Sequence, residues 1–362
     1  MMIPNQRHLF DIPKDISYLN GASYSPLMRS TVAAGEMGLA RKVHPWGPIF
    51  PDAEAEVEQA RGLFAGLIGA TADDVAVVPS TSYGIATAAA NLTVAAGQDI
   101  VVLEQQFPSN FHAWRQLAAD TGARLVQVPR PADGNWAAAI LERITPDAGL
   151  VALPPCHWTD GSRIDLAPIG VRCREIGAAF VLDATQLIGA APLDVAEIQP
   201  DFMACSAYKW LLCPYTLAFL YAAPHRQQGR PLELRTDTPV ENARRYDMGE
   251  RYNFINMPMA VTSLTQVTEW TPAAIAETLA PLTQRVADAA RERGLTVPPD
   301  AHRVSHIIGL RREGGLPEAL DKKLAEDGVY VALRGDAVRI SPYLFSDTGD
   351  IDRFFTALDR YL

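Results

Sequence analysis

Ala179-Phe180-Val181-Leu182-Asp183-Ala184-Thr185-Gln186 and, after a short link, Cys205-Ser206-Ala207-Tyr208-Lys209-Trp210 carry the decisive reading of this chain. The first stretch has no polar residue before Asp183, so it reads as a strand buried on both faces that ends in an acid. The second places Lys209 just past another apolar run, between Tyr208 and Trp210 and ahead of Leu211-Leu212. Surroundings this apolar disfavour an ammonium and lower its pKa. Taken singly, Asp183 is explained as the cap of a turn and Lys209 as a structural lysine with its head in water. Taken together they are an acid and an amine at the ends of two neighbouring strands.

Outward from these two stretches the same pattern repeats. Asp74–Pro79, Asp99–Glu104, Arg124–Pro129 and Leu150–Pro154 are short apolar runs, separated by alanine-rich segments of helical spacing such as Gly84–Ala96 and Phe111–Thr121. The alternation predicts an α/β fold with a mainly parallel sheet between layers of helices, with ligands gathering at the carboxyl ends of the strands. After Tyr221 the character changes: Pro224–Tyr246 is charged and contains prolines, and a helical pattern covers Thr271–Gly294. Strands at Ser305–Leu310, Val329–Leu333 and Ala337–Ser341 and a last helix from Asp350 then read as a smaller α+β domain. The expected division is 1–255 for an N-terminal segment and large domain, and 256–362 for the small one.

The chain has 362 residues and a formal net charge of -10, which argues against a polyanionic nucleic-acid or membrane partner and for a small molecule. Its four cysteines, Cys156, Cys173, Cys205 and Cys213, have no metal-ligand spacing and are too few for a disulfide framework, so no metal site is expected. The opening residues lack the pattern of a leader, and no apolar run approaches the ~18 residues of a membrane span. A cytoplasmic protein is the expectation.

Few chemistries need both an apolar lysine and a strand-end carboxylate. Pyridoxal phosphate does: an amine condenses with its aldehyde, and a carboxylate keeps its ring nitrogen protonated so that the ring withdraws electrons. Pro79-Ser80-Thr81-Ser82-Tyr83-Gly84 follows a strand and opens a helix, which suits a phosphate, although Ser and Thr there are also ordinary caps. No Gly-x-Gly-x-x-Gly or Walker lysine loop is present, which removes the main support for a nucleotide cofactor.

On Asp183-Ala184-Thr185-Gln186 followed by Ser206-Ala207-Tyr208-Lys209-Trp210, the chain resembles the class V aminotransferase group of fold type I pyridoxal phosphate enzymes, which includes kynureninase, cysteine desulfurase and isopenicillin N epimerase-like proteins. The resemblance runs from Tyr18-Leu19-Asn20-Gly21-Ala22 to the C-terminal helix. It implies a seven-stranded, mainly parallel sheet with a small C-terminal domain, and a homodimer with active sites at its interface. Lys209 would then hold the cofactor as a Schiff base and shuttle protons, and Asp183 would pair with the ring nitrogen. Gln186 would face the phenolic oxygen, while Thr81, Ser82, Ser206 and Tyr208 would hold the phosphate. Phe107, in Glu104-Gln105-Gln106-Phe107-Pro108, would stack on the ring without moving a proton. Desulfurase-type relatives carry histidine there and need a cysteine late in the chain, and none follows Cys213.

Arg339, in Val338-Arg339-Ile340-Ser341-Pro342, has the planar fork that suits a substrate α-carboxylate, with Arg334 as its competitor. Asn20 and Ala22 fall beside it in the resemblance as substrate contacts. His157, Trp158 and Thr159 in Cys156-His157-Trp158-Thr159-Asp160-Gly161 follow a strand at the same edge and are pocket candidates, although a capped loop explains them equally well. Asp247–Phe254 resembles the segment that reaches across the dimer in relatives; Gly249-Glu250 replaces the usual Gly-Thr, leaving Asn253 or Arg251 as the phosphate contact. The residues imply an amino-acid substrate and, with the resemblance, an aminotransferase first, a kynureninase-like or C–S lyase second, and an epimerase third.

Overall fold

Seven strands form the central sheet, in the order β2-β8-β7-β6-β5-β3-β4. They are β2 (Val75–Val78), β3 (Asp99–Leu103), β4 (Arg124–Val128), β5 (Ala148–Leu153), β6 (Ala179–Asp183), β7 (Phe202–Ser206) and β8 (Ala218–Ala222); the short β1 (Ser17–Tyr18) lies elsewhere. This computed structural model describes residues 2–47, 50–234 and 240–362. β8 runs antiparallel to both of its neighbours, and all other pairs are parallel. All but the edge strand β4 are buried along their whole length, as their unbroken apolar runs require.

The helices around the sheet are α1 (Arg29–Arg41), α2 (Phe50–Leu67), α3 (Thr81–Asn91), α4 (His112–Thr121), α5 (Trp136–Arg143), α6 (Ala167–Ile176) and α7 (Val195–Ile198). They are followed by α8 (Asn256–Trp270) and α9 (Pro272–Glu292), and then by a smaller layer. That layer holds β9 (Ile308–Leu310), α10 (Leu320–Glu326), β10 (Val329–Tyr330), β11 (Ala332–Arg334), β12 (Ala337–Ile340) and α11 (Thr348–Leu358). β11, β12 and β9 form an antiparallel sheet, while β1 pairs in parallel with β10.

Several sequence expectations are corrected in extent. The helix expected over Gly84–Ala96 starts at Thr81, because Ser80 Oγ caps it by accepting from Tyr83 N at 3.1 Å, and it stops at Asn91, where Leu92 turns extended. The strand expected over Val329–Leu333 is two strands in two different pairings, and the one expected from Ser305 begins at Ile308. The last helix opens at Thr348, two residues early, through the Asp347–Asp350 capping box. Residues 235–239 of the charged Pro224–Tyr246 stretch lie outside the described residues.

The apolar cores divide differently from the expected 255/256 boundary. Met257, Ala260, Leu264, Ile275 and Leu279 belong to the core that the large sheet shares, whereas Leu19, Val286, Ala287 and Ala290 pack with the small layer. The change first falls inside α9, Val304, Ile307, Tyr343, Leu344 and Phe345 return to the large core, and the N-terminal strand sits with the C-terminal layer.

Candidate active site

Loops leaving β2, β3, β5, β6 and β7 converge at the carboxyl edge of the sheet around a cavity of ≈ 250 Å³. Pro79–Ser82, Gln106, Phe107, Ser109, Asn110, Cys156, Trp158, Asp183, Thr185, Gln186, Ser206, Tyr208 and Lys209 all line it, as do Tyr215–Leu217 at the start of β8. This is where a parallel sheet presents ligands, because each strand delivers the first residues of its loop to the same edge.

At one end is a cluster of hydroxyls. Thr81 Oγ1 lies 2.8 Å from Thr185 Oγ1 and 2.7 Å from Ser206 Oγ, while Thr185 Oγ1 accepts from Ser206 N at 3.1 Å. Ser82 Oγ donates to Ser109 Oγ at 2.8 Å. The first turn of α3 adds the positive end of a helix dipole, so this end of the cavity is suited to an anion. Gly84 keeps α3 close, since a Cβ there would come within 2.9 Å of Ala204 Cβ on β7.

Lys209 and Asp183 are both buried beside the cavity. Burial first, then the charge of Arg339, lowers the Lys209 pKa to about 8, and Asp183 opposes the shift. Asp183 is pushed up by burial, against hydrogen bonds from Thr185, whose N donates to Oδ1 at 3.1 Å. Lys209 Nζ stands 5.4 Å from the centre of the Phe107 ring and 5.5 Å from that of Tyr208. Trp158 packs edge-on against Phe107 at 5.3 Å and its Nε1 donates to Gln105 O at 2.7 Å.

The lysine turn is anchored from behind. Trp210 is fully buried, and its Nε1 donates to Gln186 Oε1 at 3.0 Å while Gln186 Nε2 donates to Ala22 O at 3.1 Å. Gln186 therefore has its amide orientation set, with its second Nε2–H left over. His306 Nε2 donates to Gln186 O at 2.6 Å, and the His306 ring stands edge-on to Trp210. Gly189, at φ +94°, leaves room for the turn: a Cβ there would meet Trp210 O at 2.5 Å.

The residues expected for the substrate fall into two groups. Arg339 is buried on β12, donating from Nη1 to Trp158 O at 2.9 Å and from Nη2 to Ser23 Oγ at 2.7 Å. Asn20 bridges to Ser341, and Ala22 N donates to Ser341 Oγ at 3.0 Å, which brings the Asn20–Ser23 segment alongside Arg339. Asn20 Oδ1 is buried without a partner. His157 does not line the cavity. Its ring stacks on Trp136 at 5.3 Å, its Nδ1 is 2.8 Å from Thr159 Oγ1, its Nε2 bonds Glu104 O at 3.2 Å, and burial lowers its pKa to about 4. The neighbour Trp158 takes the pocket position instead. Asn253 also lies off the cavity, with Oδ1 accepting from Ile255 N and Asn256 N as the cap of α8.

Residues 41–354 match the family model described as Aminotransferase class-V. The chain belongs to that family. Among related proteins, an uncharacterized aminotransferase of Bacillus subtilis (strain 168) is 33% identical over 176 residues, covering 48% of this chain and 46% of the relative. The kynureninase of Deinococcus radiodurans is 30% identical over 270 residues, 68% of this chain and 64% of its own. Other relatives are named probable cysteine desulfurase and isopenicillin N epimerase. The matched stretch spans from 43% to 64% of these first relatives' own length. A solved C-DES variant with glycine covalently linked to its PLP cofactor shares the fold, with a TM-score of 0.88 and 18% identity over 99% of this chain and 100% of that one.

Class-V aminotransferases use pyridoxal phosphate, and the cavity fits it. The hydroxyl cluster and the start of α3 match the phosphate, and the Phe107 ring offers a flat apolar face. Asp183, a buried carboxylate whose pKa burial raises, suits pairing with a protonated ring nitrogen. Among the described residues no group of three or more His, Cys, Asp or Glu is arranged to hold a metal ion. Thr185, Ser23, Tyr215 and His306 were not singled out for this class-V site. Thr185 stands within the quoted Asp183–Gln186 motif, in the turn that leaves β6; the others reach the site only through tertiary packing.

Proposed function

We propose that this class-V enzyme is an aminotransferase for a small amino acid. Bound pyridoxal phosphate supplies an electron sink for the negative charge that develops at the substrate Cα. Arg339 would hold the α-carboxylate, and Lys209 Nζ, freed when the substrate amine binds, would take the proton from Cα and deliver it to the cofactor carbon at the other end of the conjugated system. Asp183 keeps the ring nitrogen protonated, and Gln186, oriented by Trp210, donates its spare Nε2–H to the phenolic oxygen. Phe107 covers the ring face, and Thr81, Ser82, Ser206 and Tyr208 hold the phosphate. The observation that carries the choice is that, among the described residues, Lys209 is the only amine lining the cavity and no histidine lines it. A proton moved away from and back to one conjugated system needs a single base; expelling a side-chain leaving group calls for a second acid, and inverting Cα calls for a second base on the opposite face.

The kynureninase-like or C–S lyase reading is second, supported by the Deinococcus relative and by Phe107 at the ring face. A persulfide-accepting desulfurase loses support because the last cysteine, Cys213, is buried and free. A homodimer is supported by the exposed Met37, Leu39, Val43, Trp46 and Tyr215; Asn253 would act only across such an interface. A cytoplasmic setting suits the four free thiols, and no described helix is long and apolar enough to cross a membrane.

The test is a screen of amino acids against yellow holoenzyme, assayed for keto acid, ammonia and sulfide. Keto acid with conversion of the cofactor to its amine form supports transamination; ammonia or sulfide without that conversion replaces it with the lyase reading. Borohydride should fix the cofactor's mass on Lys209, and a protein that takes up no pyridoxal phosphate sinks both readings.

A further inference from the structure

Two arginines meet at one hydroxyl. Arg339 Nη2 donates to Ser23 Oγ at 2.7 Å and Arg334 Nη2 donates to the same oxygen at 3.1 Å. They are on the same face of the β11–β12 hairpin: Arg339 is paired with Ala332, two residues before Arg334. Diagonal neighbours of this kind sit roughly 7–8 Å apart at the backbone, within reach of long side chains, and like charges so placed repel. Their remaining partners are the carbonyls Trp158 O and Leu333 O, all neutral. Arg339 Nε is buried with no partner.

Elsewhere the chain pairs buried and half-buried arginines with carboxylates. Arg61, fully buried, makes two bonds to Asp247 at 2.9 and 3.0 Å, and Arg130 and Arg311 share Asp160. Neither Arg334 nor Arg339 has a carboxylate partner among the described residues, although a buried, unpaired cation is costly. Among the described residues the only acid lining the cavity is Asp183, which the proposed chemistry assigns to the ring nitrogen. A single α-carboxylate would balance one of the two guanidinium charges and leave the other.

We infer that Arg334 and Arg339 receive two anionic groups of one substrate, so that the enzyme selects amino acids with a second acidic group, a carboxylate or a sulfur oxyacid, over those with neutral or basic side chains. This rests on the proposed amino-acid chemistry at Lys209 and names its substrate class. Arg339 takes the α-carboxylate through its free Nε edge, and Arg334, half-buried at the end of β11, takes the side-chain anion. Ser23 is the neutral spacer that holds both forks in register.

The experiment measures dissociation constants of L-aspartate, L-glutamate and L-cysteine sulfinate against L-asparagine, L-glutamine and L-alanine, using holoenzyme and both the change in bound-cofactor absorbance and calorimetry. At least one acidic ligand should bind about tenfold or more tighter than its neutral counterpart, the scale of a charge-assisted hydrogen bond. R334Q should bring that ratio close to one, and R334K should keep part of it. Neutral ligands binding as well as acidic ones in wild-type protein would overturn the inference while leaving the amino-acid reading standing. So would R334Q weakening acidic and neutral ligands in step, which would mean that both arginines share one carboxylate. If no amino acid disturbs the cofactor at all, the parent reading fails and this one with it.

Discussion

Trp210 Nε1 donates to Gln186 Oε1 at 3.0 Å, so the residue after Lys209 dictates which way the neighbouring amide faces. Replacing Trp210 by Phe keeps most of the buried volume but strands the Gln186 carbonyl oxygen. Stability should fall by about 1–3 kcal/mol, the cost of an unsatisfied buried acceptor, read by urea denaturation. The released amide can then rotate, so the absorbance maximum of bound cofactor should shift as well; an unchanged spectrum would mean that Gln186 does not touch the phenolic oxygen.

Lys209 has its pKa lowered to about 8, chiefly by burial. In cofactor-free protein the fold bears the full cost of the buried cation below that pH, and the cost fades as pH rises toward the ~10.4 of an unfolded lysine. K209A should therefore be more stable than cofactor-free wild type at pH 6, with the gap closing between pH 8 and 10. Its turnover should drop by about 10²–10⁴ or more, and borohydride should no longer fix cofactor to the chain. A constant stability gap across that pH range would contradict the burial argument.

Asp183 has the opposite sign. Burial raises its pKa, so folding favours the protonated form, and the penalty for the carboxylate appears as pH rises above the ~3.9 of an unfolded aspartate. Cofactor-free D183N should be more stable than wild type at pH 7 and equal to it near pH 4. Turnover should be lost at all pH values, because an amide cannot keep a ring nitrogen protonated. Thermal melts of both proteins across pH, alongside keto-acid release, check the two statements separately.

Phe107 reaches its position from the loop after β3, held edge-on by Trp158. Phe107→Ala should weaken cofactor binding about tenfold, from lost aromatic contact and apolar area, with little change in melting temperature of the cofactor-free protein. Equilibrium dialysis of pyridoxal phosphate gives the number; a melting temperature that falls sharply would reassign Phe107 to the core.

How much of this was legible in the sequence depends on the range of the interaction. β2 to β6 coincide with short, largely apolar runs, and Asp183 and Lys209 are marked by their immediate neighbours, so these were readable locally. α1 was not, because Gly35 and Gly38 look like turn signals; they are there for close approach, and a Cβ on Gly38 would meet Phe254 O at 2.2 Å. α8 was hidden by its Thr and Val content, which is poor for isolated helices and is overridden by packing. His157 and Trp158 could not be told apart, since only the Trp136 ring decides that the histidine faces inward. Ser23 and His306 carry no local mark; their partners lie far along the chain.

That distance has a kinetic side. Ser23 and Arg339 are 316 residues apart, and β1 pairs with β10, so one wall of the proposed substrate site is a contact of very high sequence separation. Loop closure on that scale comes late and slowly. A chain still on the ribosome can pair β2, β8 and β7 and set the hydroxyl cluster from residues 75–222, whereas the lysine turn waits for His306 and the arginine wall for the last strands. Cofactor uptake and substrate recognition are thus separable in time during refolding, the first competence preceding the second.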